Sequence, residues 1–235
     1  MRKLALSDEI LLKVDKAARY IGGEVNSVMK DKNAVDIRFA MCFPDVYEIG
    51  MSNLGMMILY NMFNQREDVW CERLFSPWPD LDKVMREKKI PLFALESQEP
   101  IRDFDFLGIT IGYEMCYTNI LQVLDLSGIP LKSADRGEDF PIVIGGGACA
   151  YNPEPLAPFL TCSILEREKL FMMHFLMRTR PIRKLAAAGE IFFWQQLRSL
   201  EFMFHLFMKL PIKKTARSHP LRQQRLAFRK KSRNS

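Results

Sequence analysis

Short apolar segments alternate with stretches of helical spacing through the first two thirds of the chain, and this alternation constrains the fold more than any other feature. A short apolar run predicts a buried strand, and apolar residues three and four apart predict a helix with one packed face. Strands that alternate with helices form βαβ units, so the sequence predicts an α/β fold, a parallel sheet with helices on both faces. The predicted strands are 34–43, 71–75, 91–95, 104–112 and 140–144, and the predicted helices are 7–20, 52–64, 80–89 and 118–126.

Ligands of such sheets bind beyond the carboxyl ends of the strands, close to the point where the strand order reverses. The loops that follow the predicted strands are therefore the candidate site. They are residues 44–54, 113–117 and 145–155.

The first of these loops holds two carboxylates, Asp45 and Glu48, within four residues. Two carboxylates are able to act as a general acid and base, but the sequence does not fix their separation. Ser52 is interpreted as the N-cap of the helix that follows the loop, because a serine hydroxyl accepts hydrogen bonds from the first free backbone amides of a helix.

Gly145, Gly146 and Gly147 follow the last predicted strand. Glycine lets the backbone approach a ligand closely and permits positive φ, as phosphate and nucleotide sites require. The run is not a P-loop, because no Gly-Lys-Ser/Thr follows it, and it does not match G-x-G-x-x-G. A ligand-binding loop and a simple tight turn are both consistent with it.

The charge of the chain is divided unevenly and suggests three regions. Residues 1–33 are expected to form an N-terminal helical extension and residues 34–160 an α/β domain. Residues 1–160 carry 17 Lys and Arg against 24 Asp and Glu, a net charge of −7, whereas residues 161–235 carry 17 against 4, a net charge of +13. The last region also contains no Asp, Val or Tyr, and we expect it to be an irregular or helical tail.

The five cysteines lie 29, 45, 33 and 13 residues apart, a spacing that fits neither a zinc site nor a small disulfide framework. No metal ligands are therefore predicted. The apolar run at the N-terminus is too short for a secretory signal, and Asp8 follows it closely. We expect a cytoplasmic protein.

Several segments, taken in order, closely resemble the amino-terminal region of a family of uncharacterised bacterial radical S-adenosylmethionine (radical SAM) proteins with a B12-binding-like domain. The resemblance covers about residues 10–160 without large gaps. The segments are Ala18–Glu24, Phe43–Gly55, Asn64–Val69, Leu95–Ser97, Tyr117–Leu121 and Gly145–Pro155.

The resemblance implies a flavodoxin-like, Rossmann-like domain of the cobalamin-binding type. Its cofactor-binding positions would be Ser52, Thr110 and the three glycines Gly145, Gly146 and Gly147. Base-off cobalamin domains use a D-x-H-x-x-G loop whose histidine ligates cobalt, and the matching loop here has Asp45 but no histidine before His174. A corrinoid ligand is thus possible, but without that lower ligand.

In that family, the resemblance further implies, a barrel with a Cys-x3-Cys-x2-Cys motif holds a [4Fe-4S] cluster and S-adenosylmethionine. This chain contains no such triplet. Because the cluster requires three thiolates, the [4Fe-4S] cluster and S-adenosylmethionine are expected only in the full-length family member. We assign no catalytic residue and expect no catalysis by this chain alone.

After Pro158 the family is expected to continue with a strand of the type Asp-Leu-Phe-Val-Ile-Gly-Glu-Gly-Glu. A suitable choice of codons for residues 160–175 encodes Asp-Leu-Phe-Tyr-Phe-Gly-Glu-Gly-Glu in a neighbouring frame. We therefore hypothesise that a frameshift near residue 160 truncates the family sequence. The sheet is then expected to be incomplete at its C-terminal edge, with no strand after Pro158.

Two other functions remain open from the sequence. The first is a stand-alone corrinoid- or nucleotide-binding module. The second is an interaction protein whose basic run Lys213–Arg233 attracts nucleic acid or anionic membrane without sequence specificity. The apolar run Ile191–Leu210 is interrupted by polar and charged residues, so no transmembrane segment is predicted.

Overall fold

Five strands and six helices make up the part of the chain that the computed structural model describes, residues 4–164. These residues belong to one compact unit of the chain, Met1–Ile191. The strands are β1 (Ile37–Phe43), β2 (Val69–Phe75), β3 (Phe106–Thr110), β4 (Ile142–Gly146) and β5 (Cys162–Ile164). The helices are α1 (Asp8–Leu11), α2 (Ala18–Ile21), α3 (Tyr47–Met51), α4 (Leu54–Asn64), α5 (Pro79–Lys88) and α6 (Tyr117–Leu126).

The five strands form one parallel sheet in the order β2-β1-β3-β4-β5. This is the flavodoxin-like order, and it confirms the predicted fold class. The chain runs from β1 outward to β2, then returns to place β3 on the other side of β1. The strand order therefore reverses between β1 and β3, where Phe39 pairs with Phe106 and Cys42 with Ile109.

Alternate side chains of the strands pack on the two faces of the sheet, because successive residues of a strand point to opposite sides. On one face, the ring of Phe39 in β1 lies 4.9 Å from that of Phe63 in α4 and 6.0 Å from that of Phe106 in β3. The opposite face is covered by α5 and α6. Its core contains Ala40, Cys42, Leu74, Leu81, Met85, Leu107, Ile109, Ile120, Val123, Leu124 and Val143.

Residues 91–95, predicted as a strand, instead begin a turn that covers the outer edge of β2. The backbone N–H of Leu95 donates to the carbonyl of Arg73 at 2.9 Å. The backbone N–H of Arg73 donates to Oε2 of Glu96 at 2.6 Å. A carboxylate thus takes the place of a neighbouring strand, and it satisfies an edge amide that would otherwise be free to pair with another chain.

The guanidinium of Arg73 extends this contact into a buried charge network. Arg73 and Glu96 are both fully buried, and Nε of Arg73 donates to Oε1 of Glu96 at 2.6 Å. Nη2 of Arg73 donates to Glu24 at 2.8 Å, and the hydroxyl of Tyr47 donates to the other oxygen of Glu24 at 2.8 Å. Arg73 therefore joins the edge turn, the N-terminal segment and the start of α3.

A second ion pair anchors the same turn from β1. Nη2 of Arg38 donates to the buried carboxylate of Glu72 at 2.6 Å. The other oxygen of Glu72 accepts from the backbone N–H of Ser97 at 2.8 Å. Burial raises the pKa values of Glu72 and Glu96, while the adjacent guanidinium of Arg38 or Arg73 opposes the change.

The prediction that no strand follows Pro158 is wrong. β5 pairs in parallel with Ile144–Gly146 of β4. One residue earlier, the backbone N–H of Thr161 donates to the carbonyl of Val143 at 2.8 Å, and the Thr161 hydroxyl accepts from the N–H of Val143 at 3.2 Å. The backbone of β4 is therefore paired on both sides along most of its length.

The N-terminal segment forms two short helices, α1 and α2, where the sequence predicted one helix over residues 7–20. Lys16, with φ of +51°, separates them. Leu6, Ile10, Val14 and Tyr20 are buried in the same core as α5.

The predicted tail, residues 161–235, begins with β5, and its part from residue 165 onward, with the apolar and basic runs, lies outside the described residues. Within residues 4–164, no helix is both long and apolar enough to cross a membrane.

We predict that Glu96→Gln lowers the free energy of unfolding by about 3 kcal/mol, because it leaves the buried Arg73 without its closest counter-charge. Urea denaturation of the full chain measures this. The control is Glu9→Gln, which breaks an ion pair with Lys13 whose side chains are both 65% exposed, and we expect it to be neutral. Equal effects of the two substitutions would contradict the role given to the buried pair.

Candidate functional site

The candidate site lies at the carboxyl ends of β1, β3 and β4, on both sides of the point where the strand order reverses. The loop after β1 contains α3 and ends at Asn53. The loop after β3 contains a short 3-10 helix, Glu114–Cys116, and β4 is followed by another, Ala148–Tyr151. The three loops predicted from the sequence therefore lie together at the carboxyl end of the sheet.

A hydrogen bond between Asp45 and Tyr113 joins the first two loops across the reversal point. The Tyr113 hydroxyl donates to Oδ2 of Asp45, and Oδ1 accepts from the backbone N–H of Val46 at 2.7 Å. This bond to the carboxylate, together with partial burial, raises the pKa of Tyr113 to about 12, so the phenol stays protonated at neutral pH. A second link runs from the Asn119 amide to the carbonyl of Pro44 at 3.0 Å.

Asp45 and Glu48 do not form an acid–base pair. Asp45 is engaged by Tyr113, whereas Glu48 binds the guanidinium of Arg19 at 3.0 Å and the ammonium of Lys16 at 3.4 Å. Desolvation raises the pKa of Glu48, but a backbone hydrogen bond and the contacts with Arg19 and Lys16 together outweigh it and lower the pKa. The two carboxylates therefore serve separate contacts.

The interpretation of Ser52 as an N-cap is wrong. Ser52 follows the last residue of α3, and its hydroxyl donates to the carbonyl of Ile49 at 2.7 Å. The N-cap of α4 is the next residue, Asn53, whose side-chain oxygen accepts from the backbone N–H of Met56 at 2.9 Å. The Ser52 side chain is exposed at the candidate face, and its role as a cofactor-binding residue stays a prediction.

Two of the three consecutive glycines are closely packed against the chain itself, and one of them, Gly147, is required by its backbone. A Cβ atom on Gly145 would lie 2.5 Å from Cδ1 of Leu160 and 2.8 Å from Cδ1 of Ile111. Gly147 has φ of +119°, and a Cβ atom there would lie 2.7 Å from the carbonyl oxygen of Ile111. These glycines allow β4 to approach the end of β3.

Gly146 differs from its neighbours, because a Cβ atom there would meet no heavy atom within 4 Å. It pairs with Thr110, the last residue of β3, and its carbonyl accepts from the N–H of Ile111 at 2.6 Å. Thr110 and the three glycines are thus adjacent, as the predicted site requires. Gly146 is the one of them with open space beside it for a ligand.

Large apolar side chains are exposed in the same three loops. Met115 is 85% exposed, Leu54 72%, Tyr151 72% and Ile49 46%. These residues follow β1, β3 and β4, so they lie at the same end of the sheet as Gly146. Exposed apolar side chains at the ligand-binding end of a parallel sheet are candidates for contact with a partner or a ligand.

Two features bear on the expected corrinoid. Tyr47 stands where the D-x-H-x-x-G loop has its histidine, and its hydroxyl donates to Glu24 rather than to Asp45. Leu160 and Ile111 fill the space beside Gly145, one of the predicted cofactor-binding positions. These residues do not fit a corrinoid whose cobalt takes a histidine of this loop as its lower ligand.

Comparison with known families shows a match. Residues 55–201 match the model of a family described as radical SAM proteins, N-terminal. The match covers more than half of the chain and includes α4 through β5 as well as the boundary near residue 160. A comparison with curated proteins gives no match.

We predict that Gly147→Ala lowers the free energy of unfolding by about 2 kcal/mol or more, because the substitution combines a strained φ with a backbone clash. Gly146→Ala, one residue earlier, has room for its methyl group and is expected to change the free energy of unfolding by less than about 0.5 kcal/mol. Urea denaturation of both variants compares them. A destabilising Gly146→Ala would show that the space beside Gly146 is not open.

Proposed function

The chain belongs to the family of radical SAM proteins, N-terminal, and we propose that its described part is a ligand-binding module that performs no radical chemistry itself. The observation that carries the proposal is the face at the strand-order reversal. It combines the open backbone at Gly146, the partly buried Thr110 and a set of exposed apolar side chains on a flavodoxin-like sheet.

The absence of the cysteine triplet from the sequence supports a non-catalytic role. Radical chemistry of this class starts with reductive cleavage of S-adenosylmethionine at a [4Fe-4S] cluster, and three thiolates must hold that cluster. The 235 residues contain five cysteines but no Cys-x3-Cys-x2-Cys. The cluster and S-adenosylmethionine belong, in this proposal, to a separate catalytic domain.

The ligand that we propose belongs to the corrinoid class, whose flat macrocycle has apolar edges and carries polar amide side chains. Met115, Leu54 and Tyr151 offer apolar contacts, and Gly146 lets the ligand reach the backbone. Since the described loops supply no imidazole, cobalt would keep a ligand that the protein does not provide. Binding is therefore expected without the spectral change that accompanies a new nitrogen ligand.

Equilibrium dialysis of the full chain against hydroxocobalamin tests this function. We expect saturable binding that Gly146→Ala weakens at least about fivefold, because a methyl group at the contact excludes close approach. The matched control is Gly137→Ala, which also has no heavy atom within 4 Å and lies in the loop before β4, at the opposite end of the sheet. No binding, or equal binding by both variants, would refute the corrinoid proposal.

The out-of-frame origin of the tail stays a hypothesis, supported by the change of composition near residue 160. The family match continues past that boundary to residue 201, which an out-of-frame tail does not explain. The nucleotide sequence downstream of the Leu160 codon distinguishes an out-of-frame tail from one that continues in frame. A frameshift requires a neighbouring frame that encodes Gly-Glu-Gly-Glu and then Cys-x3-Cys-x2-Cys, and its absence would refute the hypothesis.

A further inference from the structure

A cavity of about 30 Å³ lies at the carboxyl end of β2, among the N-terminal segment, the residues after β2 and α5. Its polar lining residues are Arg19, Tyr20, Tyr47, Arg73 and Ser76. The remaining lining residues are apolar, among them Leu81 and Phe93. This cavity is separate from the open space beside Gly146, because β2 is at the edge of the sheet and β4 is on the other side of β1 and β3.

Two residues that line the cavity each carry a buried polar atom without a partner among the described residues. Arg19 is 8% exposed, and its Nε and Nη2 bind Glu48, but its Nη1 has no hydrogen-bond acceptor. Ser76 is 5% exposed, and its hydroxyl has no partner. Buried polar groups are almost always satisfied by protein or by ordered water, because leaving them unpaired costs free energy.

The size of the cavity restricts what can satisfy these atoms. A cavity needs roughly 10–15 Å³ to hold one water, so this one holds one or two and is too small for an organic ligand. A guanidinium donates hydrogen bonds and accepts none. The group beside Nη1 of Arg19 must therefore be an acceptor, either a neutral oxygen or an anion.

The charges around the cavity favour a neutral occupant. The lining holds two guanidinium groups, those of Arg19 and Arg73. Glu48 pairs with the first, and Glu96 and Glu24 pair with the second. No positive charge is left over to offset the desolvation of an anion.

We propose that one or two ordered water molecules occupy this cavity and hydrogen-bond to both Nη1 of Arg19 and the hydroxyl of Ser76. Arg19 belongs to α2, and the N–H of Ser76 donates to the carbonyl of Asp45 at 3.0 Å. The water therefore links the N-terminal segment to the loop that forms one side of the candidate site.

The direction in which Ser76→Ala changes the Tm tests whether water occupies the cavity. Ser76→Ala removes one partner of the water and is expected to lower the Tm of the full chain by about 2–4 °C. Ser127 is the matched control, since it is fully buried and its hydroxyl is also unpaired, but it does not line the cavity. Ser127→Ala removes a buried hydroxyl that makes no hydrogen bond, so no contact is lost. The Tm of this variant is expected to stay the same or rise.

An unchanged or raised Tm for Ser76→Ala would overturn the proposal, because it would show that the hydroxyl has no partner to lose. A crystal structure of the full chain, with one crystal soaked in bromide, gives an independent readout. We expect water density within hydrogen-bond distance of Arg19 and Ser76 and no anomalous bromide peak there. A bromide peak, or an empty cavity, would also overturn it.

Discussion

The buried ion pair between Arg73 and Glu96 is the contact on which the arrangement of the other elements depends. Both side chains are fully buried, so each charge needs the other to offset its loss of hydration. Glu96 also accepts from the backbone amide of Arg73, and the pair thereby fixes the edge of the sheet as well as its own charges. Through Glu24, Arg73 further holds the N-terminal segment against α3.

The position of α3 connects this network to the candidate site. Tyr47, the first residue of α3, binds Glu24, and Asp45 lies two residues earlier at the reversal point. Asp45 then binds Tyr113 in the loop after β3. A chain of contacts thus runs from the outer edge of β2 to the two loops that border the site.

The central strands and the longer helices could be predicted from the sequence, because β1, β3, α4 and α6 show clear apolar patterns. Residues 91–95 are predicted as a strand because they are apolar. They begin the edge turn instead, because contacts with the charged residues of β2 set the path of the backbone here. The predicted strand 71–75 includes Glu72 and Arg73 and lacks only Val69 and Trp70 of β2, but the sequence does not indicate how two fully buried charged residues are paired. No local pattern reveals a partner 23 residues away in sequence.

The three loops at the carboxyl ends of the strands could be predicted from the sequence, but the contacts within them could not. Ser52 and Asn53 are adjacent residues of similar capping ability, and only the backbone geometry decides which one caps α4. Gly145 and Gly147 are explained by their packing against Leu160 and Ile111, which no spacing rule indicates. The pairing of Asp45 with Tyr113 depends on the strand order, which the apolar pattern leaves undetermined.

Hydrogen–deuterium exchange of the full chain, with and without hydroxocobalamin, tests most directly the claim that the reversal-point face binds the ligand. The account predicts slower exchange in residues 44–54, 111–117 and 145–152 and unchanged exchange in the loop before β4. Protection at the opposite end of the sheet, or no protection in these three segments when ligand is bound, would contradict it.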